Sequence, residues 1–179
     1  TEYYRQAVTA HCDALEFKAA ALLQVRMAKN YEKHDNLPAS IEEFEKASRF
    51  FSAAGMVNEA EQALEKVAYL LGKTGKFVES SKTHKTLAMS QLDRNMTIFN
   101  APRYALRSVI LLCVDASSSS PLDFSEVQDL IDEICKKDCR FIESRELAFV
   151  NDILHAISST GLDQFADCVY EFNEIAELD

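Results

Sequence analysis

Apolar residues recur every three or four positions almost without interruption from residue 17 to residue 176, the spacing that lines up one face of an α-helix. Phe17, Ala21, Val25, Ala28 and Tyr31 form a first stripe, and Ile41, Phe44, Ala47, Phe51 and Ala54 a second. Val57, Ala60, Leu64, Val67, Ala68 and Leu71 form a third, and Phe77, Ser81, His84, Ala88 and Leu92 a weaker fourth. Residues 104–114 are nearly all apolar, which predicts a helix covered on several sides. Three further stripes run over 124–135, 147–157 and 162–176. Gly55, Gly75 and Gly161 stand where stripes end, as expected of glycines that close helices in the left-handed conformation. Asn100 before Pro102 has the form of a helix start, and Asp123 with Glu126 has capping-box spacing. The pattern predicts about nine helices and no strand.

Two of these segments repeat. Residues 25–31 lie over 65–71 at an offset of 40, with Ala28 on Ala68, Tyr31 on Leu71, Asp35 on Gly75, Leu37 on Phe77, Ser40 on Ser80 and Phe44 on His84. A period of about 40 residues made of helix, turn and helix marks an α-solenoid, whose units bury their apolar faces only by stacking on neighbours. The expected fold is therefore all-α, a solenoid of tetratricopeptide-like helix hairpins over 1–116. A polar link follows at 117–122, and a C-terminal helical bundle at 123–179 packs on the solenoid as one continuous domain. Proteins of this kind mostly hold other proteins, so the pattern points to a scaffold or adaptor.

Composition agrees and narrows the choice. Of 179 residues 47% are apolar, with 4 Gly and 3 Pro, which suits long helices and short turns and excludes disorder. The net charge of −10 without a basic run argues against nucleic acid or anionic lipid as a direct partner. No apolar run is long enough for a membrane span, and no leader pattern is present. The chain starts at Thr1 in what reads as helix, so it is expected to be a fragment of a longer solenoid. Five cysteines, Cys12, Cys113, Cys135, Cys139 and Cys168, read as reduced cytosolic thiols.

No catalytic set is visible. His11, His34, His84 and His155 form no metal pair, and His84 lies on an apolar stripe as a core histidine does. His11 and Cys12 are adjacent, so on a helix they point about 100° apart and are not arranged for proton transfer. No glycine-rich phosphate loop occurs. The expectation is a protein that is not an enzyme and uses no metal or cofactor. Basic residues on the inner curve of the solenoid are then the candidates of interest: Lys66, Arg103, Arg107 and Arg145.

The helix-pair series and its end resemble the soluble NSF attachment proteins, of the α-SNAP type. The strongest local likeness is Asp138-Cys139-Arg140-Phe141-Ile142-Glu143-Ser144-Arg145-Glu146-Leu147, where the family has a phenylalanine shortly before Ser-Arg-Glu. It is followed at a suitable distance by Glu171-Phe172-Asn173-Glu174-Ile175-Ala176-Glu177-Leu178-Asp179, similar to the family's Glu-Phe-Asp-Ser-Ile-Ser-Arg-Leu-Asp. The 39–48 segment and Lys66-Val67-Ala68-Tyr69 also match. The resemblance implies an adaptor that binds the SNARE complex and recruits an NSF-type ATPase, cytoplasmic and peripheral to membranes through its partners. A generic tetratricopeptide-like interaction scaffold is the alternative. Carried over by position, Lys66, Arg103, Arg107 and Arg145 would contact SNARE helices, and Asp115 would contact the ATPase. Glu16, Leu22, Gln62, Tyr170 and Glu177 stand where the family tends to be basic, and His155, Ser158 and Ser159 where it has glutamates. The chain therefore resembles a divergent, truncated member.

Overall fold

The computed structural model describes residues 2–94, 96–117, 123–159 and 161–176, and Glu2 by its backbone alone. The described residues form nine α-helices and two short 3-10 turns, with no strand among them. The chain divides into two compact units, Thr1–Leu87 and Ala88–Asp179. The expected link at 117–122 meets the described residues only at Ser117, and 118–122 lie outside them.

The first unit is a stack of antiparallel hairpins: α1 (Glu2–Asp13), α2 (Phe17–Lys33), α3 (Leu37–Ala53), α4 (Val57–Lys73) and α5 (Phe77–Leu92), the last running past Leu87. From α2 to α5 the helices start every 20 residues. Every turn between them has one construction. Leu15, Asp35, Gly55 and Gly75 take the left-handed conformation, with φ of 58°, 55°, 72° and 78°. The amide of the next residue then donates to the carbonyl five residues back: Glu16 to His11, Asn36 to Tyr31, Met56 to Phe51 and Lys76 to Leu71, at 2.8–3.0 Å. This double-bonded ending satisfies carbonyls that the helix would otherwise leave without donors and reverses the chain within three residues. The 40-residue repeat is thus two successive steps of 20, each a helix and a turn.

The repeat also fixes where helices touch. Ala20, Ser40, Ala60 and Ser80 are buried at equivalent places, as are Ala28, Ser48 and Ala68. Small side chains there let neighbouring backbones approach closely. Ser40 Oγ donates to the Ala28 carbonyl across the α2–α3 contact at 2.9 Å, and Ser80 Oγ donates to the Ala68 carbonyl across α4–α5 at 2.7 Å. Each hydroxyl uses the spare lone pair of a helical carbonyl, so a buried polar group is satisfied without breaking the helix. Around these contacts Ala28, Ile41, Phe44, Val67, Leu70 and Leu71 form one core cluster, and Ala21, Ala47, Phe51, Ala60 and Ala63 another. The weak fourth stripe is explained by α5, which buries Ser80, Ser81, His84 and Gln91 beside Leu87 and Ala88.

The second unit contains α6 (Ala101–Ser117), α7 (Ser125–Lys137), α8 (Arg145–Ser158) and α9 (Leu162–Ile175), with 3-10 turns at Ile98–Asn100 and Cys139–Glu143. Helix α6 buries Ala101, Ala105, Leu106, Ser108, Val109, Leu112 and Cys113, in keeping with its nearly continuous apolar sequence. Phe149 of α8 stacks on Phe172 of α9 with ring centroids 4.1 Å apart. Two local expectations are corrected. Gly161 has φ of −85° and stands at the start of α9, so it closes no helix in the left-handed form. Helix α7 is entered through Phe124 rather than Asp123, whose carboxylate accepts from the Ser125 amide two residues on at 2.9 Å, a turn in place of a capping box. The α9 stripe is less covered than its pattern suggests: Phe172 is buried, while Leu162 and Ile175 are largely exposed.

Candidate partner-binding surfaces

In the first unit Lys66 lies on the exposed side of α4, its ammonium 5.5 Å from the centroid of the Tyr69 ring. That distance is within range of a cation–π contact, and Tyr69 is itself mostly exposed. The residues in line with it along α4 are Asn58, Gln62, Tyr69 and Lys73, all exposed. The same positions one 40-residue period earlier, on α2, are Lys18, Leu22, Arg26, Lys29 and Lys33, again all exposed. Of these positions the sequence pattern singles out only Lys66. The missing signal was the repeat itself, which lays Arg26 on Lys66 and Lys33 on Lys73. Glu16, one of the non-basic replacements, receives His11: its carboxylate lies 2.6 Å from His11 Nδ1 across the α1–α2 turn.

In the second unit Arg103 and Arg107 stand one turn apart on α6, the former exposed and the latter half-buried. Arg145 opens α8 and lies 3.1 Å from the Glu146 carboxylate. Its position is set by the segment before it. The Asp138 carboxylate accepts from the Arg140 amide at 3.2 Å and from Arg140 Nε and Nη2 at 2.8 and 3.2 Å. These bonds, chiefly the Arg140 side chain, hold the Asp138 carboxyl below its ordinary value against the opposing effect of burial. Phe141 inserts into the core with 1% exposure. Ser144 then donates to the Phe141 carbonyl at 2.7 Å and accepts from the Leu147 amide at 3.1 Å, capping α8. The Asp-x-Arg-Phe-x-x-Ser-Arg-Glu-Leu segment is thus a structural joint that presents Arg145.

Asp115, near the end of α6, lines a cleft of about 180 Å³ with Leu112, Ala116, Asp123, Ser125 and Glu126. Three carboxylates therefore share one opening, and the Ser125 amide holds Asp123 below its ordinary value. His155, Ser158 and Ser159 lie exposed on and just past α8, and the Ser158 and Ser159 hydroxyls donate to the carbonyls of Leu154 and Ala156. Glu177 lies outside the described residues, as do Leu178 and Asp179 of the matched ending. The described cysteines are free thiols, and burial pushes the Cys113 thiol up to about 11. Among the described residues no group of three or more His, Cys, Asp or Glu side chains could hold a metal ion. None of the described helices is long and apolar enough to cross a membrane.

Helix hairpins stacked with a constant step define a helix-hairpin repeat protein of the α-solenoid kind. The sequence profile of the family described as "Soluble NSF attachment protein, SNAP" matches residues 1–179, and the chain belongs to that family. It is similar to the "Alpha-soluble NSF attachment protein" of Dictyostelium discoideum, 24% identical over 175 residues, covering 98% of this chain and 58% of the relative. It is also similar to the "Probable vesicular-fusion protein sec17 homolog" of Neurospora crassa, 26% identical with 97% and 58% covered. The mouse "Alpha-soluble NSF attachment protein" is 20% identical with 97% and 57% covered. The chain thus spans between half and two thirds of the length of these relatives.

Proposed function

We propose that this chain acts as an adaptor in vesicle fusion, holding a bundle of SNARE helices and presenting it to an NSF-type ATPase. The observation that carries the reading is the family match over residues 1–179. Lys66 and the α6 and α8 arginines supply the contacts to the bundle, and Asp115 with its neighbouring carboxylates faces the ATPase. The solenoid over 1–116 and the bundle over 123–179 both contribute to these contacts. The protein works in the cytoplasm, reaches membranes through its partners, and performs no catalysis and needs no cofactor. SNARE bundles are acidic rods, so attraction depends on local cations within a Debye length of about 8 Å at physiological salt rather than on net charge.

The test is binding to an assembled SNARE bundle at low and moderate salt. The wild-type chain binds weakly and loses affinity as salt rises. Replacing Lys66, Arg107 and Arg145 together by Glu weakens binding while circular dichroism stays unchanged. Binding that survives both the charge reversal and high salt would place the partner surface elsewhere.

A further inference from the structure

The second unit carries its two signs of charge at two different ends. Leu92, Ala101, Ile134 and Phe141 meet where α5 and α7 finish and α6 starts. Leu112, Asp115, Asp123 and Glu126 meet where α6 finishes and α7 starts. Residues 88–179 contain seven lysines and arginines, and all of them belong to the first end. Arg94 follows α5, Arg103 and Arg107 lie in the first two turns of α6, and Lys136 and Lys137 close α7. Arg140 and Arg145 stand on the 3-10 turn and the α8 start that come next. From Ser108 to Cys135 there is no lysine or arginine. Three carboxylates at the cationic end are engaged: Asp93 with Lys137 at 3.3 Å, Asp138 with Arg140 at 2.8 Å and Glu146 with Arg145 at 3.1 Å. The tip between α5 and α6 projects from this end. Met96 there is 95% exposed and Phe99 is 84% exposed. The Thr97 amide donates to the Arg94 carbonyl at 3.2 Å, and the Asn100 amide to the Thr97 carbonyl at 2.9 Å. Successive bonds of this three-residue kind set side chains three apart on one side, so Met96 and Phe99 project together. Ile98 between them is half-buried and anchors the tip.

We propose that the α5–α6 tip of the second unit enters the surface of an anionic bilayer, with Met96 and Phe99 among the acyl chains and the surrounding cations against lipid phosphates. A bilayer surface offers an apolar layer directly beneath an anionic one, and this end presents the matching order: apolar side chains outermost, lysines and arginines behind them. The tip's two internal amide bonds lower the cost of taking its backbone out of water. The exposed apolar residues of α9 do not share this chemistry. Leu162, Tyr170 and Ile175 stand among Asp163, Asp167, Glu171 and Glu174, with no cation on that helix. The total charge of −10 argued against anionic lipid, but it averages over two ends of opposite character. Two inserted side chains give only weak, reversible attachment, so the tip acts when something else already holds the chain close to the membrane. In the adaptor reading partners do this; the lipid contact itself does not depend on that reading.

The experiment is flotation of the whole chain with vesicles of phosphatidylcholine alone and of phosphatidylcholine mixed with phosphatidylserine. The tip variant is M96S/F99S, and the control L162S/I175S removes two exposed apolar residues from α9. All four side chains are exposed, and circular dichroism checks that both variants fold. Wild type binds the mixed vesicles about tenfold more tightly than the neutral ones, the tip variant loses about tenfold on the mixed vesicles, and the control stays within about twofold. The chain has no tryptophan, so F99W gives a single reporter whose emission shifts to the blue on mixed vesicles and is quenched by brominated lipid. No binding of wild type to either vesicle overturns the proposal, as does equal binding to both. Undiminished binding of the tip variant, an equal loss in the control, or an F99W emission that vesicles leave unchanged also overturns it. The last arm uses soluble SNARE bundle without lipid, where the tip variant and wild type are expected to agree within about twofold. A tenfold loss there would assign the tip to a protein partner and overturn the membrane contact, while the adaptor reading would stand.

Discussion

At the residue scale the turns show most directly how side-chain chemistry fixes the backbone. Two of the four left-handed positions are glycines, at Gly55 and Gly75, and two are Leu15 and Asp35. A residue with a Cβ costs about 1–2 kcal/mol in that conformation. Leu15 is largely exposed, so little packing offsets the cost. Leu15→Gly is therefore expected to stabilise the chain by about 0.5–1 kcal/mol, after allowing for the greater freedom of glycine in the unfolded state. Gly55→Ala meets no atom within 4 Å, so its expected loss of about 1 kcal/mol is purely conformational. Urea midpoints of the two variants on either side of wild type would bear this out; a stabilising Gly55→Ala would refute it. The buried serines allow a second comparison. Ser40→Ala removes a hydroxyl and leaves the Ala28 carbonyl its helical partner, so the expected cost is only about 0.5–1.5 kcal/mol. Ser40→Leu forces apart two helices that touch through small residues, and costs about 1–3 kcal/mol or more. A Leu variant as stable as the Ala variant would show that the α2–α3 contact is looser than described.

Single elements explain both what the sequence made legible and what it did not. Helix existence was readable because apolar spacing and burial share one cause, and Ala21, Ala28, Phe44, Phe51, Val67 and Leu71 are buried where their stripes placed them. The chain reversals were readable at Gly55 and Gly75 but not at Leu15 and Asp35, because the turn is held by backbone bonds that any residue can make at a conformational cost. Helix α5 looked weak because its core positions are serine, histidine and glutamine, whose burial depends on partners that spacing does not reveal. The Ser-Arg-Glu segment was found by likeness, and only the geometry shows Asp138, Arg140 and Ser144 as its framework. That framework has a pH consequence. Asp138 is held below its ordinary carboxyl value, so the folded state binds its proton less readily than the unfolded state. Its contribution is complete above about pH 4 and is lost as pH falls through the lower folded value. In Arg140→Gln the main cause of the lowering is gone, and acid unfolding followed by circular dichroism is expected to begin at higher pH than in wild type. An unchanged acid limb would mean that the pair adds nothing to stability.

Over the whole molecule, charge is distributed unevenly. Helix α2 carries four cations against the single Glu32, whereas the stretch from Glu146 to Asp179 holds eight acidic residues and no lysine or arginine. The sequence total of −10 hides this separation, which is why composition alone gave no hint of a basic face. The ion pairs of Lys46 with Glu42, Arg49 with Glu45, Lys76 with Glu79 and Lys137 with Asp93 join exposed or half-exposed side chains, and such pairs contribute little to folding. Stability and recognition therefore respond differently to salt. Between about 0.05 and 0.5 M salt the melting temperature is expected to shift little, while affinity for an acidic rod falls steeply as screening shortens. A melting temperature that drops in parallel with affinity would tie the basic face to folding and not to a partner.

The step of 20 residues between helix starts also limits how such a chain can change length. Successive helices run in opposite directions, so removing one step points every later helix the opposite way and exchanges inner for outer faces. Removing two steps, from Asn36 through Gly75, joins Asp35 to Lys76 with the same turn chemistry on either side of the splice. Insertions and deletions in this part of the gene are therefore tolerated by parity: an even number of steps leaves a shorter or longer protein with its faces unchanged, and an odd number leaves one whose two ends no longer agree on which side is which.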